Sequence, residues 1–468
     1  MQTQVTTSTD KDRITLAGLP TVAPTLLAVV GLSALAIAGV LGWRQDDQLR
    51  GFSASYLVSF CFFLSISLGA LFFVLLQHLV KAGWSVTVRR LAEVLAANTV
   101  CMAVLFLPIL VPLLAGQTGL YAWSDPVLVE SDALLQWKTP YLNVPFFAAR
   151  AVAYFAVWVV TAWFFLAQST RQDDSGDPAL TRRMEKVAGP ALVLFGLTVS
   201  FAAFDWLMSL EPTWFSTIYG LYFFAGAVVA FFAALILLTI TLQAGGRLVR
   251  SVTVEHYHEL GKLLLGFIIF WGYKAFSQYL IIWYANIPEE SVWYLARQNG
   301  PWAWVSVALL FGHLLIPFLG LLSREMKRRK ILLGGWAVWM LVIHWGDLYW
   351  LVKPTFSPGR LPFGLLDVCC MIAVGSLYLA GQSCHTGDDA EGPRDQREHR
   401  WNQAHQQKAA GAENRQAAGR SPRWVDDRSD SDLARGVLVT MNPCDGHGVW
   451  ELPEEYHPEQ HMRHGAQQ

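Results

Sequence analysis

Long apolar runs constrain this chain more than any other feature. Ten of them, each of roughly 20 residues, begin near Val22, Tyr56, Leu91, Pro145, Val187, Ser216, Leu260, Trp302, Ile331 and Leu361, and the last ends near Gln382. Water cannot be the solvent for all of that surface. The chain is 53% hydrophobic and only 15% charged over 468 residues, too little charge to cover ten such runs. Within lipid every backbone N–H and C=O must be satisfied by the chain itself, which leaves helices or closed barrels. The length of the runs selects helices. The expectation is an all-α integral membrane protein with about ten transmembrane helices in 21–383. A short cytoplasmic segment, 1–20, precedes them, and a mostly disordered cytoplasmic tail, 384–468, follows.

Charge orients the helices. With the N-terminus inside, Lys81, Arg89, Arg90, Arg171, Arg182, Arg183, Lys186, Arg247, Arg250 and the run Arg324, Lys327, Arg328, Arg329, Lys330 all fall in cytoplasmic loops. The outer loops then hold only Arg44, Arg50, Lys138, Arg297, Lys353 and Arg360. This bias predicts both termini inside. The N-terminus is polar and unlike a signal peptide, so the first run reads as a retained helix. Two outer loops stand out: the long segment from Tyr121 to Asn143, which has room for a short surface helix, and the segment from Asn286 to Trp302, which mixes acids with Trp. Beyond Cys384 the composition turns to Gln, Arg, Asp, Gly, His and Ala, too polar to offset chain entropy, apart from a semi-apolar patch at Gly436–Leu452.

The six cysteines, Cys61, Cys101, Cys369, Cys370, Cys384 and Cys444, include no C-x-x-C pair, so no zinc or iron–sulfur motif and no covalent haem motif is expected. A net charge of −1 gives no reason to expect a nucleic-acid partner.

The informative residues are the polar ones inside the spans, because a charge at mid-bilayer costs about 2.5–3.5 kcal/mol on insertion scales. Lys274 sits midway along the seventh span, with Gln278 one turn on and Trp271 three residues back, a stripe expected to face the bundle interior. It reads either as a proton relay or as a permanently paired structural lysine, with Asp205 or Asp347 as the partner. His344 and Asp347 share a face of the ninth span at i and i+3, an arrangement suited to proton exchange; a satisfied buried His with an interfacial Asp is the alternative. His313, four residues before Pro317 in the eighth span, reads more readily as structural. Asp205 and Asp367 fall near the outer ends of the fifth and tenth spans. At the inner side Glu93, His78, His256, His258, Glu259 and Lys262 gather near helix ends, where a proton path would enter. The proton-path candidates are therefore Glu93, Asp205, Lys274, Gln278, His313, His344, Asp347 and Asp367.

Several of these residues lie in segments that resemble a known family. WSVTVRRLAE (Trp84–Glu93), WKTPYLNVPFFAAR (Trp137–Arg150), FDWLMSLEPTWFSTIYGLYFFAG (Phe204–Gly226), HELGKLLLGFIIFWGYKAFSQYLIIWYANIPEE (His258–Glu290) and HWGDLYWLVKP (His344–Pro354) look like the NrfD-like membrane subunits of alternative complex III, a bacterial quinol:electron-acceptor oxidoreductase. They resemble the second such subunit, ActF. The resemblance implies two four-helix bundles with flanking helices in a bacterial cytoplasmic membrane. It implies a haem c subunit, an iron–sulfur subunit and a sister NrfD-like subunit as partners, with a terminal oxidase as a further one. Quinone or quinol is the ligand it implies, and a transmembrane proton path the role. The resemblance transfers roles only to Asp205, Lys274, Gln278, His344 and Asp347; His313 and Asp367 rest on the physical argument, and the tail has no counterpart. Two rivals remain: a structural anchor without a proton or quinone role, and an ion-coupled secondary transporter.

Overall fold

The computed structural model describes residues 22–44 and 49–388. The segment 1–20, the tail from residue 389 on and the patch Gly436–Leu452 lie outside the described residues. Among those described, helices and turns account for the whole structure, with no strand. Ten helices are long and apolar enough to cross a membrane: α1 (Pro24–Trp43), α2 (Arg50–Leu79), α3 (Val86–Leu114), α4 (Val144–Asp173), α5 (Pro178–Leu210), α6 (Tyr219–Ala244), α7 (Val254–Ala285), α8 (Pro301–Leu322), α9 (Lys330–Phe356) and α10 (Leu365–Ser383). The chain is a multi-pass, all-α membrane protein.

Packing divides the ten into two four-helix bundles. Helices α2, α3, α4 and α5 pack in one ring and α6, α7, α8 and α9 in another, with nearly all their buried apolar side chains in one continuous core. They meet along α2, which packs on α6 and α9 as well as within its own bundle. Helices α1 and α10 pair with each other and lean on α2. The start of α1 and the end of α10 share one face of the bundle, called here the terminal face. Helix α2 is buried along nearly its whole length, whereas α1, α4, α5 and α7 present rows of exposed Leu, Val, Ile and Phe outward. This inverted surface is what a lipid solvent selects.

Two spans are irregular for chemical reasons. Helix α3 breaks at Asn98 and again at Phe106; the second break falls just before Pro108, which removes a backbone donor. Tyr56 donates to the carbonyl of Leu105 at 2.7 Å, and Asn98 donates to that of Tyr378 at 2.9 Å. Helix α8 widens into a π-helical stretch, Leu310–Leu315, centred on His313 and ahead of Pro317. Trp339 donates its indole N–H to the carbonyl of Gly312 at 2.8 Å within that stretch.

The longer loops opposite the terminal face also fold. The segment between α3 and α4 forms two short helices, Pro126–Ser131 and Ala133–Lys138, capped by Asp125 and Asp132. The segment between α7 and α8 forms an amphipathic helix, Pro288–Gln298, whose Trp293 and Arg297 turn inward. At the terminal face Lys327 donates to the carbonyls of Leu321 and Leu322 at 2.6 and 3.0 Å, closing the end of α8. Burial lowers the pKa of its ammonium.

Candidate functional site

Three titratable side chains converge in the second bundle. His313 comes from the π-helical stretch of α8, and His344 and Asp347 from one face of α9. Each offers a ligand-type atom, and these atoms lie within 4.8 Å of one another. All three residues are buried. The two imidazole rings are 6.3 Å apart between centroids.

Neighbouring helices fix each group. Ser65 of α2 meets Nε2 of His344 at 3.0 Å, so the ring is held on one side while Nδ1 stays without a hydrogen-bond partner. His313 stacks on the indole of Trp271 at 3.7 Å, and neither of its ring nitrogens has a partner. Asp347 is the best satisfied. Tyr222 of α6 donates its hydroxyl to Oδ1, and Trp271 of α7 donates its indole N–H to Oδ2 at 3.2 Å. Gly226 makes room for the cluster: a Cβ there would stand 2.9 Å from Cε1 of His344. Among the described residues three imidazole nitrogens therefore have no hydrogen-bond partner, beside a carboxylate held by two donors. Two imidazoles and a carboxylate could also hold a metal ion, but both Asp347 oxygens already accept hydrogen bonds, so an ion would compete with Tyr222 and Trp271.

The other predicted residues form separate groups. Asp205 is gripped by Arg150 of α4 through two hydrogen bonds of 2.7 and 3.0 Å, and Tyr154 donates to it at 2.7 Å. Partial burial and the nearby Asp205 carboxylate push the Tyr141 phenol of the adjoining loop up to about 12. Asp367 pairs with Lys353 at 2.9 Å, both buried, and Lys353 also donates to Ser55 at 2.7 Å. A cavity of about 270 Å³ opens beside that pair, lined among others by Arg50, Ser55, Lys353 and Asp367. Gln278 accepts from Ser216 at 3.2 Å and donates to Tyr294 at 3.1 Å. Arg297 is fully buried against Trp293 and bonded to Glu211 and to the carbonyls of Trp293 and Leu351.

Glu93 lies at the terminal face, 3.1 Å from Arg90 and 3.8 Å from Arg89. It lines a cavity of about 360 Å³ together with Gln77 and His78. His256 and Glu259 stay among the helix ends, meeting Thr87 and Lys262 respectively. Between this cavity and the His–His–Asp cluster stands a layer of phenylalanines. Phe72 packs on Phe224 and Phe267, and Phe73 on Phe231 and Phe232.

Lys274 departs from the expectation. Trp271 and Gln278 face the interior, but Lys274 is only half-buried. At roughly 100° per residue it trails their line by about 50°. Its ammonium lies 4.7 Å from the ring of Tyr273 and 5.2 Å from that of Phe270. It pairs with neither Asp205 nor Asp347, whose oxygens are occupied by Arg150, Tyr154, Tyr222 and Trp271.

Sequence spacing does not reveal Arg150, Tyr222 or Ser65 as partners, and Lys353, expected in an outer loop, lies inside α9; Arg297 does lie in the segment between α7 and α8, as expected, but turns inward. The signal for Lys353 was present: it follows Asp347 in one apolar run. Taken together, the fold and the cluster define a multi-pass membrane protein with a buried imidazole–carboxylate centre. No protein-family model matches the chain, and no curated protein matches it as a relative.

Proposed function

We propose that this chain is a proton-carrying membrane subunit of a quinol:electron-acceptor oxidoreductase, of the second NrfD-like type, ActF, found in alternative complex III. The observation that carries the reading is the buried His313–His344–Asp347 cluster. Three free imidazole nitrogens next to a carboxylate supply sites that a proton can occupy in turn. The segments that resemble the family also supply most of the polar network: Arg150, Asp205, Tyr222, Gly226, Trp271, Gln278, His344, Asp347 and Lys353. The polar groups fall into two halves. Glu93 and its cavity lie at the terminal face; the cluster, with the Lys353–Asp367 and Arg150–Asp205 pairs, lies in the half beyond. The phenylalanine layer keeps the halves apart. That separation favours coupled transfer over a leak, since a continuous polar wire would short-circuit the gradient. Electrons would travel through the haem c and iron–sulfur partners.

The test is Asp347→Asn in the purified complex, reconstituted into vesicles. Quinol oxidation should continue at near the normal rate while the number of protons translocated per electron falls. An unchanged ratio would remove Asp347 from the path. The cavity beside Lys353 and Asp367 favours a second reading in which a quinone head group binds there, its carbonyls facing Arg50, Ser55 and Lys353.

The basic residues orient the reading, with the terminal face in the cytoplasm of a bacterial cell. Reporter fusions at Gly176 and Gly245 should signal the cytoplasm, and one at Glu290 the outer side. A cytoplasmic signal at Glu290 would overturn this orientation.

A further inference from the structure

Lys274 is a charged residue in the wrong solvent. From Lys262 to Glu289 it is the one charged residue in the sequence. It therefore stands roughly 18 Å along α7 from Lys262 and roughly 16 Å from the end of the helix at Ala285, with Glu289 further still, at about 1.5 Å per residue. That is too deep for its stem to carry the ammonium to an interface. Its side chain leans out of the bundle. The ammonium sits over the ring of Tyr273, and that ring is 60% exposed. The same side of α7 exposes Ile281 and Tyr284. Among the described residues no carboxylate lies within ion-pairing distance of the ammonium. Two aromatic faces soften the charge without neutralising it. An ammonium left in this position against acyl chains is costly.

From this placement we infer that the Tyr273–Lys274–Ile281–Tyr284 face of α7 is covered in the native membrane by a transmembrane helix of a different protein, carrying an Asp or Glu at mid-depth that pairs with Lys274. Charge complementarity sets the chemistry of the partner. Lipid head groups lie at the wrong depth. A second copy of this chain is also a poor fit, because its deep carboxylates, Asp205, Asp347 and Asp367, are buried and already bonded. The inference does not rest on the proton reading: a subunit that carried no protons would still need its lysine covered.

The experiment uses a hydrophobic carbodiimide on native membranes. The reagent activates a membrane-embedded carboxyl group, and the amine of Lys274 then displaces the urea to leave an amide. Peptide mass spectrometry should find the 263–284 region of this chain joined through Lys274 to an Asp or Glu within an apolar segment of another protein. Lys274→Arg keeps the charge but forms no stable amide. It should retain the partner on detergent extraction and lose the cross-link. Lys274→Met should lower partner recovery at least tenfold while the chain itself still elutes as a folded monomer. A link to Asp205, Asp347 or Asp367 of this chain or of a second copy would overturn the proposal. So would partner recovery unchanged by Lys274→Met. A normal proton ratio in Asp347→Asn would leave this result standing, so the two readings fail separately.

Discussion

Replacing Arg150 with Met is expected to cost about 3–5 kcal/mol of stability, because it strands the Asp205 carboxylate inside the first bundle. The guanidinium grips both oxygens of Asp205 at 2.7 and 3.0 Å and also donates to the carbonyl of Tyr141 at 2.9 Å. Its flat face packs 3.9 Å from the Tyr141 ring and 4.4 Å from that of Phe146. Met retains some of this packing and none of the charge. Asp205 keeps the hydroxyl of Tyr154, a single neutral donor, which cannot balance a buried anion. The double variant Arg150→Met, Asp205→Asn removes both charges and leaves an acceptor for Tyr154, so it should recover most of the loss. Thermal unfolding in detergent, followed by size exclusion, checks both. A single variant as stable as the natural protein, or a double variant no better than the single, would show that the pair is not what holds α4 to α5.

The same pair shows how far the sequence could be read. The ten spans were legible because lipid enforces length and apolarity together, and seven of the ten helices start within five residues of the expected position. Where the structure starts a helix earlier, as at Arg50 or Pro178, polar residues extend it past the apolar run. The stripe of Trp271 and Gln278 was legible from helical spacing, and so was the shared face of His344 and Asp347. The partners were not, since they come from other helices. Nothing in sequence spacing brings Ser65 to His344 or Tyr222 to Asp347. His313 looked structural because a lone imidazole on an apolar helix usually is. What changes its standing is the π-helical turn, which depends on packing as much as on Pro317. Lys274 misled for a simpler reason. Helical spacing puts it in the same stripe as Trp271 and Gln278, but its offset of about 50° turns it toward the outside.

Gly69→Ala is expected to destabilise the protein by about 2 kcal/mol and, on the proposed proton-carrying reading, to slow proton transfer as well, although it adds only one methyl group. A Cβ at Gly69 would stand 2.5 Å from the carbonyl oxygen of Ala227 and 2.5 Å from Cβ of Phe231. The first is backbone, so no rotamer change can relieve the clash, and α2 must move away from α6. Yet α2 is buried on almost every side, and α6 is held in turn by α7 and α9. The movement would open the seam between the bundles one helical turn from Ser65. It would pull that hydroxyl away from His344 and shift Tyr222 relative to Asp347, two hydrogen bonds by which α2 and α6 hold the buried cluster. Gly196→Ala on α5 is the control. Nothing lies within 4 Å of a Cβ there, and alanine favours helix over glycine by about 1 kcal/mol, so this variant should be at least as stable as the natural protein. Thermal midpoints in detergent and proton-to-electron ratios in vesicles are measured for both. If Gly69→Ala matches Gly196→Ala in both measurements, the α2–α6 seam is looser than the structure describes, and the cluster does not depend on its close approach.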